Sequence, residues 1–188
     1  MIMYLQKTGF IEVIAGCMFS GKTEELIRRV RRAQIAKQNL LVIKPSIDTR
    51  YDENDVVSHS KSYFKAQALQ KIEEIYSLDI EKFDVIAIDE AQFFGEKIVD
   101  VCNDIANKGK RVIVAGLDLD YMGRPFGAMP QLMAIAEYVT KTQAICTVCG
   151  NPASHSQRIT KSKELVLLGS DSQYEPRCRL HFNKEEGV

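Results

Sequence analysis

The sequence FIEVIAGCMFSGKT occupies residues 10–23. Its first part, Phe10 to Ala15, is a nearly continuous apolar run, as expected of a strand that is buried on both faces. Gly16 to Thr23 then matches the pattern G-x-x-x-x-G-K-[ST], whose glycines allow backbone N–H groups to surround phosphate oxygens. The lysine of this pattern neutralises phosphate charge and the hydroxyl holds Mg²⁺. The stretch therefore predicts a strand, a phosphate-binding loop and the start of a helix.

Every residue of this loop is a candidate for contacting a nucleotide, namely Gly16, Cys17, Met18, Phe19, Ser20, Gly21, Lys22 and Thr23. An ordinary glycine-rich turn is the alternative, but the strand before the loop and the helix after it favour phosphate binding. The loop's amide dipoles could activate the Cys17 thiol. We interpret Cys17 instead as a neutral spacer.

Outside this stretch, the first two thirds of the chain alternate apolar runs with helical patterns. The other runs are Leu40 to Lys44, Asp84 to Ile88 and Arg111 to Ala115. Thr23 to Lys37 predicts an amphipathic helix, and its apolar face consists of Leu26, Ile27, Val30 and Ala33. This rhythm predicts an α/β fold with a parallel sheet and flanking helices.

The charge of the chain limits the kinds of partner it can attract. Its 188 residues include 25 Lys plus Arg and 25 Asp plus Glu, so the formal net charge is zero. Although the predicted helix contains Arg28, Arg29, Arg31 and Arg32, Glu24 and Glu25 precede them at helical spacing. We therefore expect a solvated or subunit-facing helix and no nucleic-acid partner. No apolar run is long enough to span a membrane and no export signal is evident, so a cytoplasmic protein is expected.

A second motif is Val85-Ile86-Ala87-Ile88-Asp89-Glu90, an apolar strand that ends in two acids. In a phosphate-loop enzyme, an aspartate at the end of such a strand lies beside the loop's hydroxyl and binds Mg²⁺ directly or through water. Glu90 is then a candidate general base that removes a proton from an attacking hydroxyl or water. Acids after a strand also cap helices, so the phosphate-loop motif is what favours a role in the site.

The five cysteines form an odd set, which argues against a disulfide framework. Cys146-x-x-Cys149 and Cys178-x-x-His181 form two pairs with the spacing of a closed, structural zinc site. Unrelated buried cysteines or a redox C-x-x-C are the alternatives, and the second pair argues against both. Cys102 is interpreted as a core residue, and His59 and His155 as polar surface or structural residues. The pairs, the turn residues around Gly150 and Gly169, and short alternating runs together predict a small β-rich subdomain over residues 143–188, after an ATP-binding domain over residues 1–142.

Taken together, four segments and the zinc pattern resemble the zinc-containing thymidine kinases of bacteria and animals. They are Gly16 to Thr23, Lys44 to Tyr51, Ile88 to Phe94, Pro125 to Gly127, and the four residues of the zinc pattern. The resemblance covers residues 10 to 182. It implies a P-loop NTPase-like domain, a zinc subdomain with a lasso loop over the nucleoside, and transfer of the γ-phosphate of ATP to the 5′-hydroxyl of thymidine or deoxyuridine. It further implies dTMP production for nucleotide salvage and DNA synthesis, a homotetramer and feedback inhibition by dTTP.

Site residues follow from the same resemblance. Lys22 and the loop amides match the phosphate clamp, Thr23 the Mg²⁺ hydroxyl and Glu90 the base. Asp48, Arg50, Asp89 and Gln92 match residues near the nucleotide and its metal. Without the resemblance, Asp48 would be interpreted as a turn residue and Arg50 as a surface residue. The positions that match the lining of the thymidine pocket are Met18, Phe93, Leu117, Tyr121, Phe126, Ser156, Leu165, Leu167 and Tyr174. From the residues alone, the aromatic ones would more often be core residues. Two positions depart from the common pattern: many members have Pro or Ser in place of Cys17, and Cys in place of His181.

Two other classes of protein remain as alternatives. An ATP-driven nucleic-acid motor or binding module would have the same loop, acids and zinc pairs, but the zero net charge argues against it. A non-enzymatic zinc scaffold with a vestigial loop is the second alternative. It is disfavoured because Lys22, Thr23, Asp89 and Glu90 are all present.

Overall fold

A computed structural model of the chain describes residues 8–47, 55–57, 63–160 and 173–183. In chain order, the elements up to the strand that precedes Asp89 and Glu90 are β1 (Phe10–Gly16), α1 (Lys22–Ile35), β2 (Leu40–Pro45), β3 (Asp55–Val57), β4 (Tyr63–Lys65), β5 (Gln67–Leu69) and β6 (Val85–Ile88). Short 3-10 helices cover Ile72–Ser77, Ile80–Lys82 and Ala91–Phe93. The remaining elements are α2 (Lys97–Asn107), β7 (Arg111–Gly116), α3 (Met129–Ile135), β8 (Tyr138–Thr142), β9 (Ala144–Ile145), β10 (Pro152–Ala153), β11 (His155–Arg158) and β12 (Tyr174–Arg177).

Within the described part of the chain, six strands form one sheet in the order β5-β2-β6-β7-β1-β8. Every neighbouring pair in this sheet is parallel. Strand β7 lies between β1, which leads into the phosphate-binding loop, and β6, which leads into the acids. The carboxyl ends of parallel strands meet at one edge of a sheet, so the segments that follow β1, β6 and β7 converge there.

The four predicted apolar runs are β1, β2, β6 and β7, and each agrees with the observed strand within one residue at either end. The prediction of a parallel sheet is confirmed. Glu12 is the exception to the apolar pattern of β1, and its side chain is buried. It is tolerated because Arg29 Nη1 and Arg111 Nε lie 2.6 and 2.7 Å from its two carboxylate oxygens, and a buried charge needs such partners.

Helices cover both faces of the sheet. The predicted apolar face of α1, formed by Leu26, Ile27, Val30 and Ala33, is buried against β1 and its neighbours. On the opposite face, α2 and α3 pack over a second apolar cluster, which includes Cys102 as predicted. Arg28, Arg31 and Arg32 are exposed on α1. Among the described residues, no helix combines the length and the apolar character that crossing a membrane requires.

Beyond β8 the chain forms short antiparallel ladders. Strand β9 pairs with β10, and β11 pairs with β12 so that His155 faces Arg177 and Arg158 faces Tyr174. This agrees with the predicted β-rich character of the C-terminal part. The division of the chain at residue 142 stays a prediction, and the lasso loop expected over the nucleoside falls mainly outside the described residues.

The first turns of α1 contain an ion-pair cluster that gives a pH-dependent contribution to stability. Glu25 accepts hydrogen bonds from Arg28 Nη2 at 2.7 Å and from Arg29 Nε at 2.8 Å. These contacts, first of all the one with Arg28, lower the pKa of Glu25 to about 2. Since the folded-state pKa is depressed, the stabilisation is present above the unfolded pKa of about 4.5 and is lost as the pH falls towards about 2.

Glu25→Gln is therefore expected to lower the free energy of unfolding at neutral pH by about 0.5–1 kcal/mol, a small value because the Arg28 partner is exposed to solvent. Denaturant titrations of both proteins from neutral to acidic pH measure this difference. It should narrow below a pH of about 4.5. Glu24→Gln is the matched control, because Glu24 lies on the same turn and forms no ion pair with the described residues. If the difference in the free energy of unfolding is constant over this pH range, the Glu25 ion pairs are not the source of the pH-dependent stability.

Candidate active site and metal centre

The phosphate-binding loop connects β1 to α1, and two of its residues have positive φ values. Phe19 and Gly21 have φ values of 64° and 80°. The Cys17 carbonyl oxygen accepts hydrogen bonds from Ser20 Oγ at 2.7 Å and from Lys22 Nζ at 2.8 Å. The lysine ammonium group therefore lies across its own loop and is buried. This is where a cation is needed to meet the phosphates of a nucleotide.

Strand β8 supports the loop from the side. Thr142 Oγ1 lies 2.8 Å from Ser20 Oγ and donates to the Ala15 carbonyl oxygen at 3.2 Å. Gly16 has no room for a side chain, because a Cβ there would lie 2.4 Å from the Thr142 carbonyl oxygen. The first glycine of the motif thus also serves close packing between β1 and β8.

The acid at the end of β6 reaches the hydroxyl at the start of α1. Thr23 Oγ1 donates to Asp89 Oδ2 at 3.3 Å, although β7 lies between β1 and β6, the strands that precede these residues. The Asp89 N–H donates to the Ile43 carbonyl oxygen at 2.9 Å, which extends the sheet pairing to this residue. A hydroxyl and a carboxylate converge here, and Mg²⁺ prefers such oxygen ligands.

Glu90 follows in a strained backbone conformation. Its φ of 50° and ψ of 42° are left-handed, a region that costs a non-glycine residue of order 1–2 kcal/mol. The Asp89 carboxylate accepts the Glu90 N–H at 3.0 Å, and the chain then turns into the 3-10 helix Ala91–Phe93. Strained backbone of this kind is typical of functional sites.

Gln92 connects Glu90 to the loop after β7. Its Nε2 donates to Glu90 Oε2 at 2.5 Å, and its Oε1 accepts the Leu117 N–H at 2.9 Å. Gly127 packs against the Gln92 main chain, since a Cβ there would lie 2.5 Å from the Gln92 carbonyl oxygen. That Gln92 lies near the nucleotide stays a prediction. In the structure, both ends of its side-chain amide form hydrogen bonds within the protein, one with Glu90 and one with Leu117.

The expected pocket residues come together in pairs. The Met18 N–H donates to Ser156 Oγ at 3.0 Å, which links the phosphate-binding loop to β11. Phe93 and Phe126 form an edge-to-face contact with ring centroids 5.8 Å apart. Tyr121 and Tyr174 both contact the guanidinium group of Arg158. Asp48, Arg50, Leu165 and Leu167 lie outside the described residues.

Cys17 is buried, and its Sγ donates to the Ala153 carbonyl oxygen at 3.3 Å. Burial raises the pKa of this thiol, and the nearby Lys22 charge lowers it by less. A protonated, hydrogen-bonded thiol is what we expect of a spacer rather than of a nucleophile.

Three thiols and one imidazole meet at the turns beside β9 and β12. The ligand atoms of Cys146, Cys149, Cys178 and His181 all lie within 4.8 Å of one another. Cys149 Sγ and Cys178 Sγ are 3.7 Å apart, and Cys178 Sγ lies 3.4 Å from His181 Nδ1. Two sulfurs at about 2.3 Å from a tetrahedral zinc ion are separated by about 3.8 Å. The donor set and its spacing therefore fit Zn²⁺, bound through the Nδ1 atom of His181.

The protein also promotes ionisation of one of these thiols. Burial opposes ionisation of Cys146, but backbone hydrogen bonds from Cys178 and Val148, among others, lower its pKa to about 6. Since the thiolate is the metal ligand, this lowering favours metal binding at neutral pH.

Two residues of this region, Asp118 and Arg158, are not among those that the sequence analysis predicts. Asp118 follows β7 as Asp89 follows β6, and it is buried with Lys141 Nζ 2.8 Å from its Oδ2. Its Oδ1 accepts no hydrogen bond from the residues that the structure describes. The signal that could have revealed Asp118 is an aspartate just after an apolar strand. Arg158 had no comparable signal.

Similarity to known proteins agrees with this geometry. Residues 9–182 match the family model described as thymidine kinase. A protein named thymidine kinase from Rhodothermus sp. (strain ITI 518) is 60% identical over 174 residues, which cover 93% of this chain and 81% of that protein. A match of this extent includes the phosphate-binding loop, the two acids and the Cys₃His cluster, and the chain belongs to the thymidine kinase family.

Proposed function

We propose that this chain transfers the γ-phosphate of ATP to the 5′-hydroxyl of thymidine or deoxyuridine. The observation that carries the proposal is the chain of contacts from Thr23 through Asp89 to Glu90, and from Glu90 through Gln92 to Leu117. It connects the phosphate-binding loop to the expected nucleoside pocket. A base placed between a phosphate site and a nucleoside site is what phosphoryl transfer requires.

On the phosphate side, Lys22 exchanges its hydrogen bond with the Cys17 carbonyl oxygen for contacts with the β- and γ-phosphates. The loop amides from Phe19 to Thr23 supply further donors, whereas the Met18 N–H donates to Ser156 Oγ. Most of the catalytic effect in such reactions comes from positioning and charge neutralisation, because the protein forms no covalent bond to the phosphoryl group.

Thr23 and Asp89 are the residues that would hold Mg²⁺, and their 3.3 Å contact places a hydroxyl and a carboxylate together as that ion requires. When bound, the ion neutralises charge on the phosphate oxygens. The Asp89 side chain also fixes the Glu90 main chain, so one aspartate serves both the ion and the base.

On the nucleoside side, Glu90 takes the proton of the 5′-hydroxyl as the oxygen attacks the γ-phosphorus. The new O–P bond forms while the bond between the γ-phosphorus and the bridging oxygen breaks, and ADP leaves with that oxygen. Gln92 holds the Glu90 carboxylate in place. The described pocket residues would enclose the thymine ring. By the family resemblance, Asp48, Arg50, Leu165 and Leu167 also belong to the proposed site.

The test is to incubate the protein with γ-labelled ATP and Mg²⁺, with thymidine, with single-stranded DNA, or with neither. We expect label in thymidine monophosphate only in the first mixture. Release of labelled phosphate that DNA stimulates and thymidine does not would instead support the nucleic-acid motor. Purine nucleosides serve as the specificity control.

The Cys₃His cluster is proposed to hold one structural Zn²⁺ per chain. With four protein ligands it has no open position for water or substrate, so its role is to fix the turns beside β9 and β12. Zinc removal is expected to destabilise this part of the chain.

Cys178→Ser should accordingly reduce bound zinc well below one equivalent per chain and lower the melting temperature, because a hydroxyl replaces a thiolate ligand. Elemental analysis and thermal unfolding measure both effects. Cys102→Ala is the matched control, since Cys102 is buried in α2 away from the cluster. If Cys178→Ser retains a full equivalent of zinc with unchanged stability, the assignment of the ligands is wrong.

We further propose the properties that the family resemblance implies: a homotetramer, inhibition by dTTP, and a cytoplasmic role in supplying dTMP for DNA synthesis by nucleotide salvage. Sedimentation measures the first of these, and initial rates with added dTTP measure the second.

A further inference from the structure

Arg158 is a fully buried arginine at the end of β11. Residues of a strand alternate between its two faces, so Ser156 and Arg158 share one face while His155 and Gln157 share the other. The first face meets the α/β part of the chain, because Ser156 Oγ accepts the Met18 N–H. The other face meets the C-terminal segment, where His155 stacks on Phe182 with ring centroids 4.4 Å apart.

The guanidinium group of Arg158 contacts two tyrosines that lie far apart in sequence. Its Cζ lies 3.6 Å from the centroid of the Tyr121 ring, in the segment that follows β7. Its Nη2 donates to the Tyr174 hydroxyl at 2.7 Å, and Tyr174 is the residue opposite Arg158 in the β11/β12 ladder. One planar cation thus fixes the ring plane of one tyrosine and the hydroxyl position of another.

Such a contact is demanding in its geometry. A desolvated guanidinium group stacks on an aromatic face and donates along fixed directions, whereas a lysine ammonium group is a point charge that does neither in the same way. Burying a cation is costly unless its surroundings satisfy it. The free-energy cost of burying Arg158 has an explanation if the positions of the two tyrosines matter to function. It has none if Arg158 only fills space.

We propose that Arg158 is a positioning residue that sets the gap between Tyr121 and Tyr174 and thereby the affinity for the nucleoside. This inference rests on the proposed function, which places both tyrosines in the thymidine pocket. Arg158 acts through the rings of Tyr121 and Tyr174, which are both expected on the nucleoside side of the site. Its removal should therefore affect the two substrates unequally.

Arg158→Lys retains the charge and loses the stacking plane and the Nη2 donor. We expect the KM for thymidine to rise at least about tenfold, with a smaller fall in kcat and the KM for ATP within about twofold of the wild type. Tyr174→Phe removes only the acceptor hydroxyl and should raise the thymidine KM by about threefold. Because both changes break the same hydrogen bond, the double variant should resemble Arg158→Lys alone rather than the product of the two effects.

Gln157→Leu is the matched control, on the same strand but on the opposite face. Gln157 is buried and bonds the main chain of Asn183 through both its Oε1 and its Nε2. Its replacement should lower the melting temperature while the thymidine KM stays within about twofold of the wild type. Zinc content and melting temperature are measured for every variant, and Tyr174→Phe provides the test if Arg158→Lys does not fold.

Wild-type thymidine KM values in folded Arg158→Lys and Tyr174→Phe would overturn the proposal. Equal increases in the KM values for thymidine and ATP would overturn it as well, because they would indicate a general loss of structure. If the wild-type protein itself transfers no phosphate to thymidine, the proposed function fails. If the wild type is active and the variants are unchanged, only the role of Arg158 fails.

Discussion

Replacing Glu90 with glutamine is expected to lower kcat by a factor of about 10² or more, while ATP still binds. Glutamine has the same shape, and its amide oxygen can still accept the hydrogen bond from Gln92 Nε2. The left-handed backbone of residue 90 and the contact of its N–H with Asp89 are also retained. The lost property is therefore the ability to take the proton of the 5′-hydroxyl.

Steady-state rates and ATP titrations of the purified variant measure this effect. Glu96→Gln is the matched control, because Glu96 is exposed and lies just before α2. The low-pH decrease in rate that a carboxylate base produces should be absent from the residual activity of Glu90→Gln. Near-normal turnover in that variant would reject Glu90 as the base.

The parts of the fold that the sequence revealed are those that depend on local patterns. Strands buried on both faces need apolar residues at every position, so β1, β2, β6 and β7 were recognisable as runs. The phosphate-binding loop and the Cys₃His cluster consist of residue types that chemistry requires at fixed spacing. Strand β8 was not recognised, because it forms the edge of the sheet and its residues, such as Tyr138 and Val139, are largely exposed.

The contacts that were missed depend on distant parts of the chain. Glu12 lies in a buried strand only because Arg29 and Arg111 reach it from α1 and β7. Likewise, the sequence places Gln92 near the nucleotide by resemblance. Its bond to the Leu117 N–H depends on how the segment after β7 returns across the sheet edge. No periodicity or spacing encodes such contacts, since they are set by the packing of separate elements.

Lys22 shows both what the sequence reveals and what it does not. Its motif is evident from the sequence, whereas its buried contact with the Cys17 carbonyl oxygen is not. In phosphoryl transfer the lysine opposes charge that develops on the phosphate oxygens, and it does so in a site where water is scarce. A cation with this role contributes more to the transition state than to the binding of either substrate.

Lys22→Ala is therefore expected to lower kcat/KM for ATP by about 10³, which corresponds to about 4 kcal/mol of transition-state stabilisation. The affinity for thymidine, measured by calorimetry, should be nearly unchanged, because the expected nucleoside pocket lies beyond Glu90. The substitution also removes a hydrogen bond to the Cys17 carbonyl oxygen, so loss of loop geometry must be separated from loss of charge. Ser20→Ala removes the other side-chain hydrogen bond to that oxygen without removing a cation, and its effect should be far smaller. If Lys22→Ala weakens thymidine binding as much as it slows phosphate transfer, Lys22 is not confined to the phosphate side. If Lys22→Ala and Ser20→Ala are equally impaired, the role of Lys22 is to shape the loop rather than to neutralise charge.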